Sequence, residues 1–318
     1  MSISVLHITN NYPTSNFPIY GIFVKEQIDS LAVNGIKSTV FFINGRECGK
    51  LEYAKSYIRL IRLLLHNKYD IIHCHHVYSG VLFLLTGFFF RNHSIISYQN
   101  PPEYEGGKLV FEIILRIFDK IIVKDKLRND RENKIIYLPN GVDIDFFTPI
   151  NKEIARQKLS LELDKKYVLF FDSNNKKRTQ KRIDRFLQVI NELRNDGFSN
   201  LEPLILTNTP RNIIPLYLNA ADLYLLTSDF EGSPNAVKEC MACNLKVVST
   251  PVGNVVKLLS DVDGMYVSKT FEVSELFLLV RRAFADNYCN GRQKLIEKKL
   301  DINSIANRIL EIYKDMLL

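Results

Sequence analysis

Short apolar runs of strand length alternate with stretches of helical spacing along the whole chain. Residues 3–9, 38–43, 70–74, 94–98, 120–123 and 134–137 are β-rich runs bounded by turn residues, as buried parallel strands are. Between them, helices are predicted over 23–33, 52–66, 77–90 and 108–118. The pattern restarts at 167–171 and continues with strands at 204–206, 222–226, 245–249 and 265–267. Its helices are read at 182–195, 213–219, 235–243, 254–259, 273–284 and 303–316. Residues 149–165 read as a polar linker with some helical pattern. Such alternation predicts an α/β protein with two Rossmann-like halves, the first opening without a G-x-G-x-x-G fingerprint.

Length and charge narrow the partners. A chain of 318 residues accommodates two domains, and a net charge of +7 with pI near 9.0 favours anionic ligands. No nucleic-acid motif accompanies the charge, so no nucleic-acid partner is expected. Five scattered cysteines point to a reducing compartment, and Cys240-x-x-Cys243, inside a predicted helix, reads as small buried residues. No signal-peptide pattern opens the chain, and the apolar run 80–90 falls short of the roughly 18 residues of a membrane span. A cytoplasmic protein is expected, with peripheral contact to an anionic membrane left open by the basic amphipathic stretch around Arg59 and Arg62.

The candidate chemistry is densest at 228–253, SDFEGSPNAVKECMACNLKVVSTPVG. An acidic loop, Asp229-Phe230-Glu231-Gly232, leads into Ser233-Pro234, a helix-start signal with serine as N-cap. A helix start at Asn235 and Ala236 offers free amides and the positive dipole end to an anion. Glu231 stands just before it, and Glu239 just inside, within reach of the same ligand. Phosphates and hydroxyls on one ligand suggest a sugar nucleotide. The bland alternative is a packing helix with two solvated glutamates.

Glu231 and Glu239, with seven residues between them, resemble the E-x7-E motif of retaining GT-B glycosyltransferases of group 4 (glycosyl transferases group 1). Residues 219–253 are similar to that family throughout. The resemblance implies two Rossmann-like domains facing a central cleft: an acceptor-binding domain over 1–147 and a nucleotide-sugar-binding domain over 148–302. A helix from about 303 to 318 would pack back on the first. Glu239 would bind the ribose and Glu231 the donor sugar, with Gly232, Ser233, Pro234, Asn235 and Ala236 under the phosphates. Arg178-x-x-Lys181 resembles the family's diphosphate-binding pair, while Lys176 and Lys177 read as solvated. Gly21, in a stretch similar to the family's N-terminal loop, would let the donor approach closely; an ordinary turn glycine is the plain alternative. Gln99 stands where the family commonly places a histidine, and glutamine does not titrate. Pro139-Asn140-Gly141-Val142-Asp143 resembles the signature leading to the linker.

His73, His75 and His76 cluster at a strand end, but no zinc-spaced set joins them, and His75 reads as a crevice residue. The D-x-D matches at Asp143 and Asp261 read as linker and surface turn. No metal and no cofactor is expected. What the resemblance implies is transfer of a hexosyl group from a UDP- or GDP-sugar to a glycan or lipid-linked oligosaccharide in surface polysaccharide or lipopolysaccharide assembly. The anomeric configuration would be retained. Glu231, Arg178 and Lys181 would act on the reacting centre, the cations replacing a divalent ion at the leaving diphosphate. A nucleotide-sugar epimerase, a dinucleotide oxidoreductase and a non-catalytic donor-binding subunit remain as alternatives, the last because of Gln99.

Overall fold

The computed structural model describes residues 2–125, 134–172 and 179–318. They form two units: the chain up to Gly141 together with Ile302–Leu318, and Val142–Asp301. Each unit is built on a parallel sheet.

The first sheet contains β1 (Ser4–Thr9), β2 (Lys37–Phe42), β3 (Ile71–His75), β4 (His93–Ser97), β5 (Lys120–Val123) and β6 (Ile135–Tyr137), in the order β2-β1-β3-β4-β5-β6. Helices cover its faces, so β1, β3 and β4 are buried almost throughout, which is why they read as apolar runs. Side chains alternate between faces. Leu6, Ile8, Ile72 and Cys74 join a core with Leu60, Phe83, Ile114 and Phe118. His7 lies opposite His73 across the β1–β3 pairing. The helix Ile302–Leu317 buries Ile305, Ile309, Ile312, Tyr313 and Met316 at helical spacing, and packs beside the helix Ile22–Val33.

The second sheet contains β7 (Lys166–Asp172), β8 (Leu201–Thr207), β9 (Leu223–Leu226), β10 (Val247–Ser249) and β11 (Tyr266–Val267), in the order β11-β10-β9-β7-β8. Val168, Phe170, Leu223, Leu225 and Val248 pack against Phe186, Ile190, Leu193, Leu276 and Val280 from the covering helices. In both sheets the first strand lies between the second and the third. The strand order reverses there, and in open α/β sheets ligands bind beyond the carboxyl ends of the strands that flank such a reversal.

Most predicted elements are present within one to three residues of their expected ends. The largest differences lie in three segments. The helix expected over 77–90 stops at Leu85; the Thr86 hydroxyl donates to the Phe83 carbonyl from 2.6 Å and Gly87 turns left-handed, so Phe88–Phe90 form a separate 3-10 turn. The expected linker carries a helix, Lys152–Lys158, capped by Asn151. Its buried Arg156 bonds Asp222 and the carbonyls of Ala220 and Leu163, the pairing a buried guanidinium requires. The helix Gly291–Glu297 was not legible in the sequence. Arg292 within it donates to the carbonyls of Ile144 and Phe147, and Val142 pairs with Asp301. Residues 142–147 therefore belong to the second unit, ahead of the expected boundary.

Candidate functional site

In the second unit, the loops leaving β7 and β9 are tied together. The Asp229 amide donates to the Gln180 carbonyl from 2.8 Å, and the Thr227 hydroxyl reaches the Lys181 and Arg182 carbonyls at 2.9 Å. Arg185, buried, donates to the Thr227 carbonyl and to Asp229. This bracing sets Lys181 beside the acidic loop. Lys181 Nζ donates to Glu231 Oε1 from 2.6 Å, and Ser228 Oγ donates to the same oxygen from 2.8 Å.

Residues 250–254 support the acidic loop from behind. Thr250 Oγ1 donates to the Ser228 carbonyl from 2.7 Å, and the Asn254 amide donates to the Gly232 carbonyl from 3.0 Å. Gly253, at φ +51°, comes so close that a β-carbon would stand 2.1 Å from the Gly232 oxygen, so only glycine fits.

The helix after the loop is Asn235–Ala242, and Pro234 rather than Ser233 occupies its cap position. No side chain caps it. The Ser233 hydroxyl is occupied elsewhere, accepting from Lys238 Nζ at 3.2 Å and Asn254 Nδ2 at 3.1 Å. The first amides of the helix are thus not held by a side-chain cap, and this is where a ligand's anionic oxygens would be received. Glu239, buried, accepts from Arg211 Nη1 at 2.7 Å. The Arg211 guanidinium lies 4.6 Å from the Phe147 ring centre.

The second unit therefore brings together Lys181, Glu231, Gly232, Ser233, Pro234, Asn235, Ala236 and Glu239, while Arg178 and its neighbours Lys176 and Lys177 lie outside the described residues. Sequence reasoning missed Arg211, whose only signal was its place after a strand. It also missed Lys238, a charge on a helix buried along most of its length.

In the first unit, Gln99 follows β4. The amides of Gln99 and Asn100 donate to buried Glu105 Oε2 from 2.7 and 2.9 Å, and Asn140 Nδ2 donates to Gln99 Oε1 from 3.2 Å. His76 Nε2 lies 2.9 Å from the other Glu105 oxygen. His76 holds φ +95° at the start of the helix Val77–Leu85, a conformation that favours glycine. Glu105 and His76 thus position the Gln99 loop, and neither role was legible in the sequence. Gly21, at φ +68°, precedes the helix Ile22–Val33, and a β-carbon there would meet the Asn11 carbonyl at 2.3 Å. Its own chain thus already requires glycine at this position.

His75 corrects the sequence reading. It is buried in the sheet face rather than open to a crevice, with Nε2 3.0 Å from His7 Nδ1. His73 lies between the Tyr313 hydroxyl, 2.5 Å from Nδ1, and the Ser97 hydroxyl, 2.8 Å from Nε2. One ring nitrogen from each of the three comes within 4.8 Å of the others. Five of the six ring nitrogens have hydrogen-bond partners, and buried His75 Nδ1 has none. Burial depresses His7 to about 3 and pushes His73 and His75 well below the usual histidine range, with neighbouring charges adding to the effect on the latter two. Lys124, also buried, donates to the Leu138 carbonyl from 3.2 Å, and burial lowers it to about 7.

The first carboxylates of the two D-x-D matches are otherwise engaged. Asp143 accepts from the Asp145 and Phe146 amides, and Asp261 pairs with Lys294 and Lys298. Cys240 and Cys243 are buried free thiols.

Two parallel-sheet units of this strand order have the GT-B fold. The family model described as Glycosyl transferases group 1 matches residues 191–286, within the second unit. The chain is 27% identical to an Escherichia coli UDP-Gal:alpha-D-GlcNAc-diphosphoundecaprenol alpha-1,3-galactosyltransferase, over 86% of this chain and 82% of that protein. Sucrose-phosphate synthase from Thermosynechococcus elongatus superimposes with TM-score 0.75 at 15% identity, covering 99% of each chain. HepE from Anabaena, in complex with UDP, gives TM-score 0.71 at 16% identity over 98% of this chain and 100% of its own. Among the described residues, no helix is long and apolar enough to cross a membrane.

Proposed function

We propose that the protein transfers a hexosyl group from a UDP-sugar to a lipid-linked glycan acceptor in surface polysaccharide assembly, with retention at the anomeric carbon and without a metal. The observation that carries this reading is the convergence in one unit of an uncapped helix start, the Lys181–Glu231 pair and buried Glu239. The helix amides receive the diphosphate. Glu239 accepts from the ribose hydroxyls while Arg211 keeps it oriented. Glu231 orients the donor sugar, and Lys181, with Arg178, stabilises the charge that grows on the leaving diphosphate. The leaving phosphate oxygen takes the acceptor's proton on the face it departs from. Gln99, which cannot titrate, serves this scheme as a hydrogen-bonding contact to the donor. The choice of UDP follows the E. coli relative, named for UDP-Gal, and HepE, crystallised with UDP-glucose.

A thermal-shift panel of UDP- and GDP-sugars, with and without EDTA, tests the donor site. A UDP-sugar is expected to raise the melting temperature equally in both conditions, and Glu239→Ala to abolish the rise. No rise with any nucleotide sugar would sink the donor site. Binding without transfer to a lipid-linked acceptor would favour a non-catalytic subunit.

A lipid-linked acceptor places the enzyme at a membrane surface. Leu85, Phe90 and Leu109 are largely exposed, with Arg91 and Lys108 as their chain neighbours, a composition suited to anionic lipid. The protein is expected to float with phosphatidylglycerol vesicles and not with phosphatidylcholine vesicles. Equal behaviour with both would remove this part of the proposal.

A further inference from the structure

The helix that follows the acidic loop contains a lysine with no exposure to solvent. Lys238 lies within Asn235–Ala242, and its side chain is among the largest that are fully buried. A buried ammonium must find oxygen acceptors, and methionine would fill similar space without that requirement. One acceptor is the Ser233 hydroxyl oxygen, 3.2 Å away.

That oxygen also accepts from Asn254 Nδ2 at 3.1 Å. A serine oxygen has two lone pairs and one hydrogen. Lys238 has only hydrogens to offer, so towards it Ser233 must accept. With the Asn254 amide also donating, both lone pairs are engaged and the Ser233 hydrogen is left to donate elsewhere. Ser233 keeps a small exposed surface, 8%, immediately before the uncapped helix start. The same arrangement explains why Ser233 does not cap the helix: its oxygen is turned towards Lys238 and Asn254.

We propose that Lys238 is a positioning residue of the donor site, which by donating to Ser233 Oγ commits the Ser233 hydroxyl to donate to a phosphate oxygen of a nucleoside diphosphate. This rests on the reading of the 232–236 turn as the diphosphate site. Ser233 would touch the ligand, and Lys238 would act through it. The contribution of this pair to binding would then depend on the phosphates and not on the base or ribose.

Titration calorimetry on the full chain, with UDP against uridine and GDP against guanosine, tests the idea. Wild type is expected to prefer UDP over uridine. Lys238→Met is expected to cut that preference about tenfold and leave uridine affinity unchanged, the loss of one hydrogen bond to a charged group. Ser233→Ala is expected to cut it by the same factor. The double variant is expected to lose no more than Ser233→Ala alone, because the lysine acts through the hydroxyl. A Lys238→Met protein that binds uridine normally and keeps the wild-type UDP preference overturns the proposal, as do losses that multiply in the double variant. Should Lys238→Met fail to fold, Ser233→Ala carries the test, and an unchanged preference overturns it. Wild type binding neither UDP nor GDP would instead defeat the diphosphate reading itself, so the two failures are distinguishable.

Discussion

Glu231→Gln is expected to lower turnover about a hundredfold while leaving UDP affinity within about twofold of wild type. The reason lies in what Glu231 touches. Its Oε1 is already held by Lys181 and Ser228, so the carboxylate is fixed before any sugar arrives. In the proposed scheme it acts on the donor sugar, and that contact tightens as positive charge develops at the anomeric carbon. Contacts that strengthen only in the transition state raise turnover, not ground-state affinity. Glutamine keeps the shape and removes the charge. Glu231→Ala is expected to do more harm, because it also leaves Lys181 and Ser228 without a hydrogen-bond acceptor in a partly buried site. Steady-state kinetics with a UDP-sugar and calorimetry with UDP separate the two effects. Full turnover in Glu231→Gln would remove Glu231 from the chemistry, whereas a loss confined to UDP affinity would place it on the nucleotide.

Acidification is expected to destabilise the first unit steeply below pH 6.5. His7, His73 and His75 are buried and held neutral, His7 down to about pH 3. In the unfolded chain each would take a proton near pH 6.5. Between those limits the unfolded state binds protons that the folded state refuses, so stability falls as pH falls. His7 contributes about 1.4 kcal/mol per pH unit in that window, and His73 and His75 act in the same direction. Against a domain stability of about 5–15 kcal/mol, a drop of two pH units is decisive. Carboxylates with depressed values, such as Asp184 and Asp261, lose their contribution only below about pH 4, so the window from 6.5 to 5 reports on the imidazoles. Urea midpoints measured across that window should decline steadily, and His7→Gln should flatten the slope. Midpoints that stay level from pH 6.5 to 5 would contradict the account.

The strands were legible because a sheet covered on both faces demands apolar side chains on both, and β3 and β4 have them apart from His73, His75, His93 and Ser97 on one face and Ser94 on the other. The acidic loop and helix start were legible because their residues are contiguous. What stayed hidden depends on register. His7 and His75 are remote in sequence and meet only because β1 and β3 pair as they do. Arg211 reaches Glu239 only once β8 delivers it to the carboxyl edge of the sheet. Gly21 was readable as a glycine with a purpose, but its crowding against Asn11 could not be seen without the turn. Lys238 could have been suspected, since Val237, Cys240 and Met241 around it are all apolar and the helix has no solvated face to give it. The break after Leu85 was hidden in an apolar run through Phe90 that only Thr86 and Gly87 interrupt.

The split of the chain bears on the order in which the protein can be assembled during synthesis. The second unit is one continuous stretch whose two ends meet where Val142 pairs with Asp301. It can close as soon as its own residues have emerged. The first unit begins earlier but must wait, because the helix that covers the histidine face of its sheet is made after the whole second unit. Until Tyr313 arrives, His73 lacks one of its two partners and that face stays wet. The unit translated first is therefore finished last, and its half-covered sheet is the stage at which a nascent chain is most exposed to misassembly.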